Sequence, residues 1–164
     1  MALKATICKV ALSIADIDRD YYADHSLTLA QHPSENAERL MVRLLAFALN
    51  ASESLAFTRG LSTDDEPEIW ARTLSDDISL WIELGLPDEH RVRKACNRAG
   101  RVRVYAYGGR PVPVWWQKHG GKLRHFPNLE VIQLPTESTV SLAGMAARNM
   151  NLRLTVQDGL VGVA

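Results

Sequence analysis

Cysteine is scarce, with only Cys8 and Cys96, and neither belongs to a CxxC spacing. That excludes a disulfide scaffold and a thiolate zinc site, and each thiol is expected to act as a small buried hydrophobe. No apolar run approaches the roughly 18 residues that a membrane span requires. The opening MALKATICKV has no long apolar stretch and no cleavage signature, so a cytoplasmic protein is expected, without a membrane partner. Internal repeats, linkers and low-complexity segments are also missing. Net charge is zero, 19 Lys and Arg balancing 19 Asp and Glu.

That neutrality hides a segregation. Residues 1–90 hold 7 basic against 16 acidic side chains, and residues 91–164 hold 12 against 3. From Arg91 to Arg124 ten basic residues occur without one carboxylate. Such a chain suits a protein that holds a cation with its first half and a polyanion, nucleic acid for example, with its second. It suits equally a fold whose halves neutralise each other. Tyr105, Tyr107, Trp115 and Trp116 interleave with the basic run, as they would on a stacking surface. Core or partner-facing tryptophans explain them as well.

With 164 residues, 46% of them hydrophobic, one globular domain with an ample core is expected. Residues 2–14 and 26–30 read as an N-terminal hairpin. Its tip carries Asp16, Asp18, Asp20 and Asp24, which lack the glycine and the terminal Glu of a calcium loop and read as a solvated turn. Ser34 is placed to cap a helix over 34–50, with Glu35 in its first turn and Leu40, Met41, Leu44 and Leu45 on one face. Glu35, Arg39 and Arg43 can pair along its surface, whereas Glu38 flanks the apolar face. Strands follow at 55–59, 69–74 and 78–84, then a helix over 88–99 capped by Asp88, then a strand at 102–107. The order is αβββαβ, an α/β chain with a mixed sheet. A short helix at 113–118 ended by Gly120-Gly121, a strand at 128–134, a helix over 136–150 and a strand at 152–156 complete it. Asp158-Gly159 signals a closing hairpin.

The stretch Ile78-Ser79-Leu80-Trp81-Ile82-Glu83-Leu84-Gly85-Leu86-Pro87 places one carboxylate, Glu83, near the end of an apolar strand. Burying it ionised costs several kcal/mol unless a metal, a cation or a raised pKa compensates. An Arg or water would satisfy it in a purely structural role.

HPSENAERLMVRLLAFAL, FTRGLSTDDEPEIW and LWIELGLPDEHRVRKAC together resemble the YaeQ family, and the resemblance extends over essentially the whole chain. It implies a PD-(D/E)XK restriction-endonuclease-like fold, in which two or three carboxylates hold Mg²⁺ beside a Lys that serves the scissile phosphate. Pro67-Glu68 followed by Glu83-Leu84-Gly85 matches that pattern in part, with Asp65 an alternative first acid and Glu38 a helix-borne ligand. Arg39, Arg59 and Arg91 are then expected to contact substrate. Two departures stand out. Gly85 occupies the place of the motif Lys, leaving Lys94 on the next helix as the displaced cation, and Ser79 stands where the family pattern can hold an acid. Three functions follow: a Mg²⁺-dependent nuclease, a catalytically degenerate nuclease fold that binds nucleic acid or protein, and an enzyme using the acidic cleft on another substrate.

Overall fold

The computed structural model describes residues 4–58 and 66–164. The expected site residues Arg59 and Asp65, and the end of the strand expected at 55–59, lie outside the described residues. Two mixed sheets and four helices organise the rest, in two compact units comprising residues 1–49 with 140–164, and residues 50–139.

The first unit begins with β1 (Thr6–Asp16), which pairs antiparallel with β2 (Tyr21–Gln31). The return strand starts five residues earlier than its β-branched content suggests, because the alternation of half-buried and exposed residues already begins at Tyr21. The turn between these strands is not simply solvated. Asp16 is 2% exposed and paired with Arg19 at 2.7 Å. Asp18 accepts the N–H groups of Asp158 and Gly159, at 2.8 Å each, so it pins one hairpin tip to another. These acids are structural, which answers the calcium question for both.

Helix α1 (Ala37–Asn50) starts later than expected. The Asn36 carboxamide oxygen accepts the Arg39 N–H at 2.8 Å and is the cap, whereas Ser34 is engaged by His32 at 2.6 Å. Met41, Leu44 and Leu45 of α1 then face Leu12, Leu152 and Leu154 around a shared apolar interior. At the other end of the chain, β8 (Asn149–Gln157) lies parallel to β1, and β9 (Leu160–Val163) returns against β8 through the Asp158-Gly159 turn. Both turn residues have positive φ, 53° and 76°, as the expected hairpin requires.

The second unit holds β3 (Leu55–Phe57), β4 (Ile69–Arg72), β5 (Ile78–Leu84), α2 (Glu89–Arg98), β6 (Ala99–Ala106), α3 (Pro111–Leu123) and β7 (Leu129–Gln133). Its sheet runs β3-β4-β5-β6-β7, so the strand expected at 78–84 is the central one. The first three strands are antiparallel and the last three parallel. Two β-α-β crossovers therefore put the ends of β5, β6 and β7 on one rim, and α2 and α3 share a core of Val92, Val104, Ala106, Val112 and Trp115. Cys96 packs against it, and burial pushes its thiol up to about 11, in keeping with an inert apolar role.

Helix α3 runs through Gly120-Gly121 instead of stopping there. A Cβ at Gly120 would come within 2.8 Å of the Trp116 ring, so the glycine serves the indole one turn below and keeps helical geometry. Helix α4 (Thr136–Ala143), in contrast, is half the expected length, because residues from Asn149 onward pair with β1.

Asp88 caps α2 as read from the sequence, its Oδ1 accepting the Arg91 N–H at 2.8 Å. Asp88→Ala should cost about 1 kcal/mol. A thermal melt should register that as a fall of about 2–4 °C in a chain of this size; an unchanged melt would remove the cap from the account.

Candidate functional site

Glu83 is 4% exposed and ends the face of β5 that also carries Trp81. The strand then breaks at Gly85, whose φ is +90° and whose N–H is bound to the Tyr105 carbonyl at 2.9 Å. That turn delivers the chain to Pro87 and the capped start of α2, and α2 returns its first full turn toward the acid. Arg91 donates to Glu83 Oε1 from Nε at 3.0 Å, its Nη2 stands 2.9 Å from the same oxygen as an ion pair, and the Trp81 indole N–H donates to that oxygen at 2.8 Å. Arg91 Nη2 also reaches the Glu66 carbonyl at 3.1 Å, tying α2 to the segment before β4.

A second acid faces this group. Ile69 pairs with Ile82, and the Glu68 N–H bonds the Ile82 carbonyl at 3.2 Å. Continuing that antiparallel register by one sets Glu68 directly across from Glu83, at a cross-strand Cβ spacing of about 5 Å. Burial raises the Glu83 carboxyl above the ordinary carboxylate range; Arg91 and the Trp81 N–H pull it back, and the charge on Glu68 adds to the rise.

Of the residues expected at the site, Glu68, Glu83 and Arg91 come together. Lys94 is half-buried on α2, on one helical stripe with Arg91 and Arg98 (i, i+3, i+7), but it is Arg91 that bonds Glu83. Glu38 is half-buried on α1, in the four-stranded unit. Arg39 is committed to the buried Glu35 at 2.6 Å, and Arg43 joins the same carboxylate at 2.8 Å. That trio is therefore a buried ion-pair network and not the surface ladder its spacing suggests. Ser79 donates its hydroxyl to the Ala71 carbonyl at 3.0 Å. Trp81 was missed as a partner of Glu83, although its place two residues earlier on the same strand face is a readable signal.

The basic run is only partly a surface. Arg103 bonds Asn50, whose amide donates to the Tyr105 hydroxyl at 2.7 Å. Tyr105 and Trp115 are buried and belong to the interior, whereas Trp116 is half-buried with Arg124 over its ring. Arg98, Arg101, Lys122 and Arg124 are exposed. They sit where α2 ends, where β6 begins and where α3 leads into β7, which is the rim at the strand amino ends.

For magnesium the donor types are right and the charge is wrong. Two carboxylates in register could take an oxygen-loving cation, but Mg²⁺ demands a near-octahedral oxygen set, and a guanidinium already neutralises one of the pair. No three of His, Cys, Asp and Glu gather to hold a metal among the described residues. Among the described residues, Glu68 and Glu83 as arranged with Arg91 do not fit the ion.

Comparison with known proteins agrees with the residue blocks. The YaeQ protein family model matches residues 1–164. Proteins from Salmonella typhi and Escherichia coli K12, each named uncharacterized protein YaeQ, are 51% and 50% identical over 161 residues, 98% of this chain and 89% of theirs. The crystal structure of YaeQ protein from Xanthomonas axonopodis pv. citri superposes with a TM-score of 0.94 at 52% identity, over 98% of this chain and 90% of that one. That from Pseudomonas syringae gives 0.92 at 36% identity, over 97% and 88%. The chain belongs to the YaeQ family.

Proposed function

We propose that this protein is a PD-(D/E)XK-like fold that binds nucleic acid without cutting it. The observation that carries the reading is the Arg91–Glu83 pair: the acid expected to hold a metal is neutralised from within by a guanidinium held on a capped helix. Two further features support it. Gly85 removes the motif Lys, and the exposed cations Arg98, Arg101, Lys122 and Arg124 lie at the opposite rim from Glu83. The β5–β6 register sets Arg101 level with Leu80, three residues or about 10 Å along the strands from Glu83, and Ala99, beside Arg98, level with Ile78. A phosphate backbone tracking those cations would pass on the amino side of the carboxylates.

Fluorescence anisotropy with labelled single- and double-stranded oligonucleotides, titrated across salt, tests this. Replacing Arg101, Lys122 or Arg124 by Ala should weaken binding and reduce the salt slope by about one charge each. Absence of binding at low salt, or slopes unmoved by all three substitutions, would sink the reading. The Glu68–Glu83 register favours a second reading, a Mg²⁺-dependent nuclease. Cleavage by the wild-type chain that needs Mg²⁺ and is lost in Glu83→Ala would put that reading first.

A further inference from the structure

On the outer side of α3, at the carboxyl rim of the sheet, lies a shallow groove of about 580 Å³. Leu86, Pro111, Val114 and Trp115 line it together with His119, and Arg110 and Lys118, four residues before and after Val114, line it as well. Val114, in the first turn of α3, is 65% exposed. No carboxylate lies in the sequence between Glu89 and Glu130, so nothing on α3 offsets the two cations.

We infer that this groove docks an acidic peptide segment, seating one apolar side chain on Val114 between two carboxylates held by Arg110 and Lys118. The floor decides between peptide and nucleic acid. Base stacking needs an open aromatic face. Here the floor is aliphatic, and the Trp115 indole is 7% exposed, its N–H given to the Pro87 carbonyl at 2.7 Å. Such a floor desolvates an aliphatic anchor, and His119 is a further polar side chain lining the groove. Spacing sets the peptide's pattern. Eight residues of helix separate Arg110 from Lys118 by about 12 Å, and an extended chain covers that distance in about four residues. The matching pattern is therefore acid, spacer, apolar anchor, spacer, acid. This inference does not depend on the nucleic-acid reading, which uses the other rim.

The probe is acetyl-Glu-Ala-Leu-Ala-Glu-amide, titrated into the full-length ¹⁵N-labelled chain and followed by NMR. Saturable shifts are expected at Leu86, Val114 and the Trp115 indole. Val114→Glu should weaken binding at least tenfold without unfolding the protein, since the position is exposed. Lys118→Glu should do the same, and a peptide carrying Lys in place of one Glu should regain the loss on that variant only. No shifts at millimolar peptide, equal binding when Leu is replaced by Ser, or stronger shifts at these residues with an eight-residue thymidine oligonucleotide would each overturn the proposal.

Discussion

Arg91→Ala should destabilise this protein by about 3 kcal/mol or more at neutral pH, the cost of stranding one partner of a buried ion pair. Among the described residues, the Trp81 N–H is the donor that Glu83 keeps in that variant. The loss should also depend on pH, in a sense that the environment of Glu83 fixes. Its carboxyl stands above the ordinary value of 4.5, burial being the first cause and the Arg91 hydrogen bond the chief counterweight. A carboxyl raised by folding favours its neutral form, so its contribution to stability is full below about 4.5 and declines as pH rises through the native value. Without Arg91 the native value rises further and the decline becomes deeper. Urea unfolding should therefore show a deficit that is large at pH 7.5 and distinctly smaller at pH 5. Glu83→Gln placed in the Arg91→Ala chain should recover most of it, because the amide oxygen still accepts the indole N–H while the charge is gone. A deficit under 1 kcal/mol, a deficit flat in pH, or no rescue by Gln would show that the pair does not neutralise the site.

The pairing that matters most here is only half visible in the sequence. The αβββαβ order, the central place of 78–84 and the Asp88 cap all follow from local signals: β-branched content, bounding glycine and proline, and an Asp just before a helical pattern. Those signals act over a few residues, and the structure keeps them. Elements misjudged from the sequence are those in which a distant contact overrides a local preference. Ala-rich 136–150 reads as one helix, yet the helix stops at Ala143, and Asn149 and Met150 already lie in β8 beside β1. Gly120-Gly121 resembles a helix stop until the Trp116 ring is seen to need the space. At the site, Glu83 announced itself by standing alone in an apolar strand. Arg91, eight residues on, reads from the sequence as a substrate contact and not as the partner of Glu83, since its reach depends on how the Gly85 turn aims α2. Glu68 faces Glu83 through the β4–β5 register, and register follows from pairing that no single segment encodes.

Placing at Gly85 the lysine that the proposed PD-(D/E)XK pattern would call for should fail, at a cost of about 1–2 kcal/mol, the penalty for placing an L side chain in left-handed backbone. Space is not the obstacle, because a Cβ there meets nothing within 4 Å. The obstacle is the φ of +90°, held by the bond from the Gly85 N–H to the Tyr105 carbonyl. In a regular strand, positions 83 and 85 would share a face and a lysine would reach the acid beside it. Here the strand ends at Leu84, and a side chain at 85 leaves the alternation before it can project over Glu83. Gly85→Lys should accordingly unfold at lower urea than wild type and gain no Mg²⁺-dependent cleavage of DNA or RNA. Gly85→Asn, which tolerates positive φ better, should lose less stability than Lys does. A Gly85→Lys chain as stable as wild type and newly able to cleave would mean that the turn is soft and the site one residue short of a nuclease. The expected result, lost stability with no gained activity, would tie the missing lysine to the turn that brings Arg91 onto Glu83.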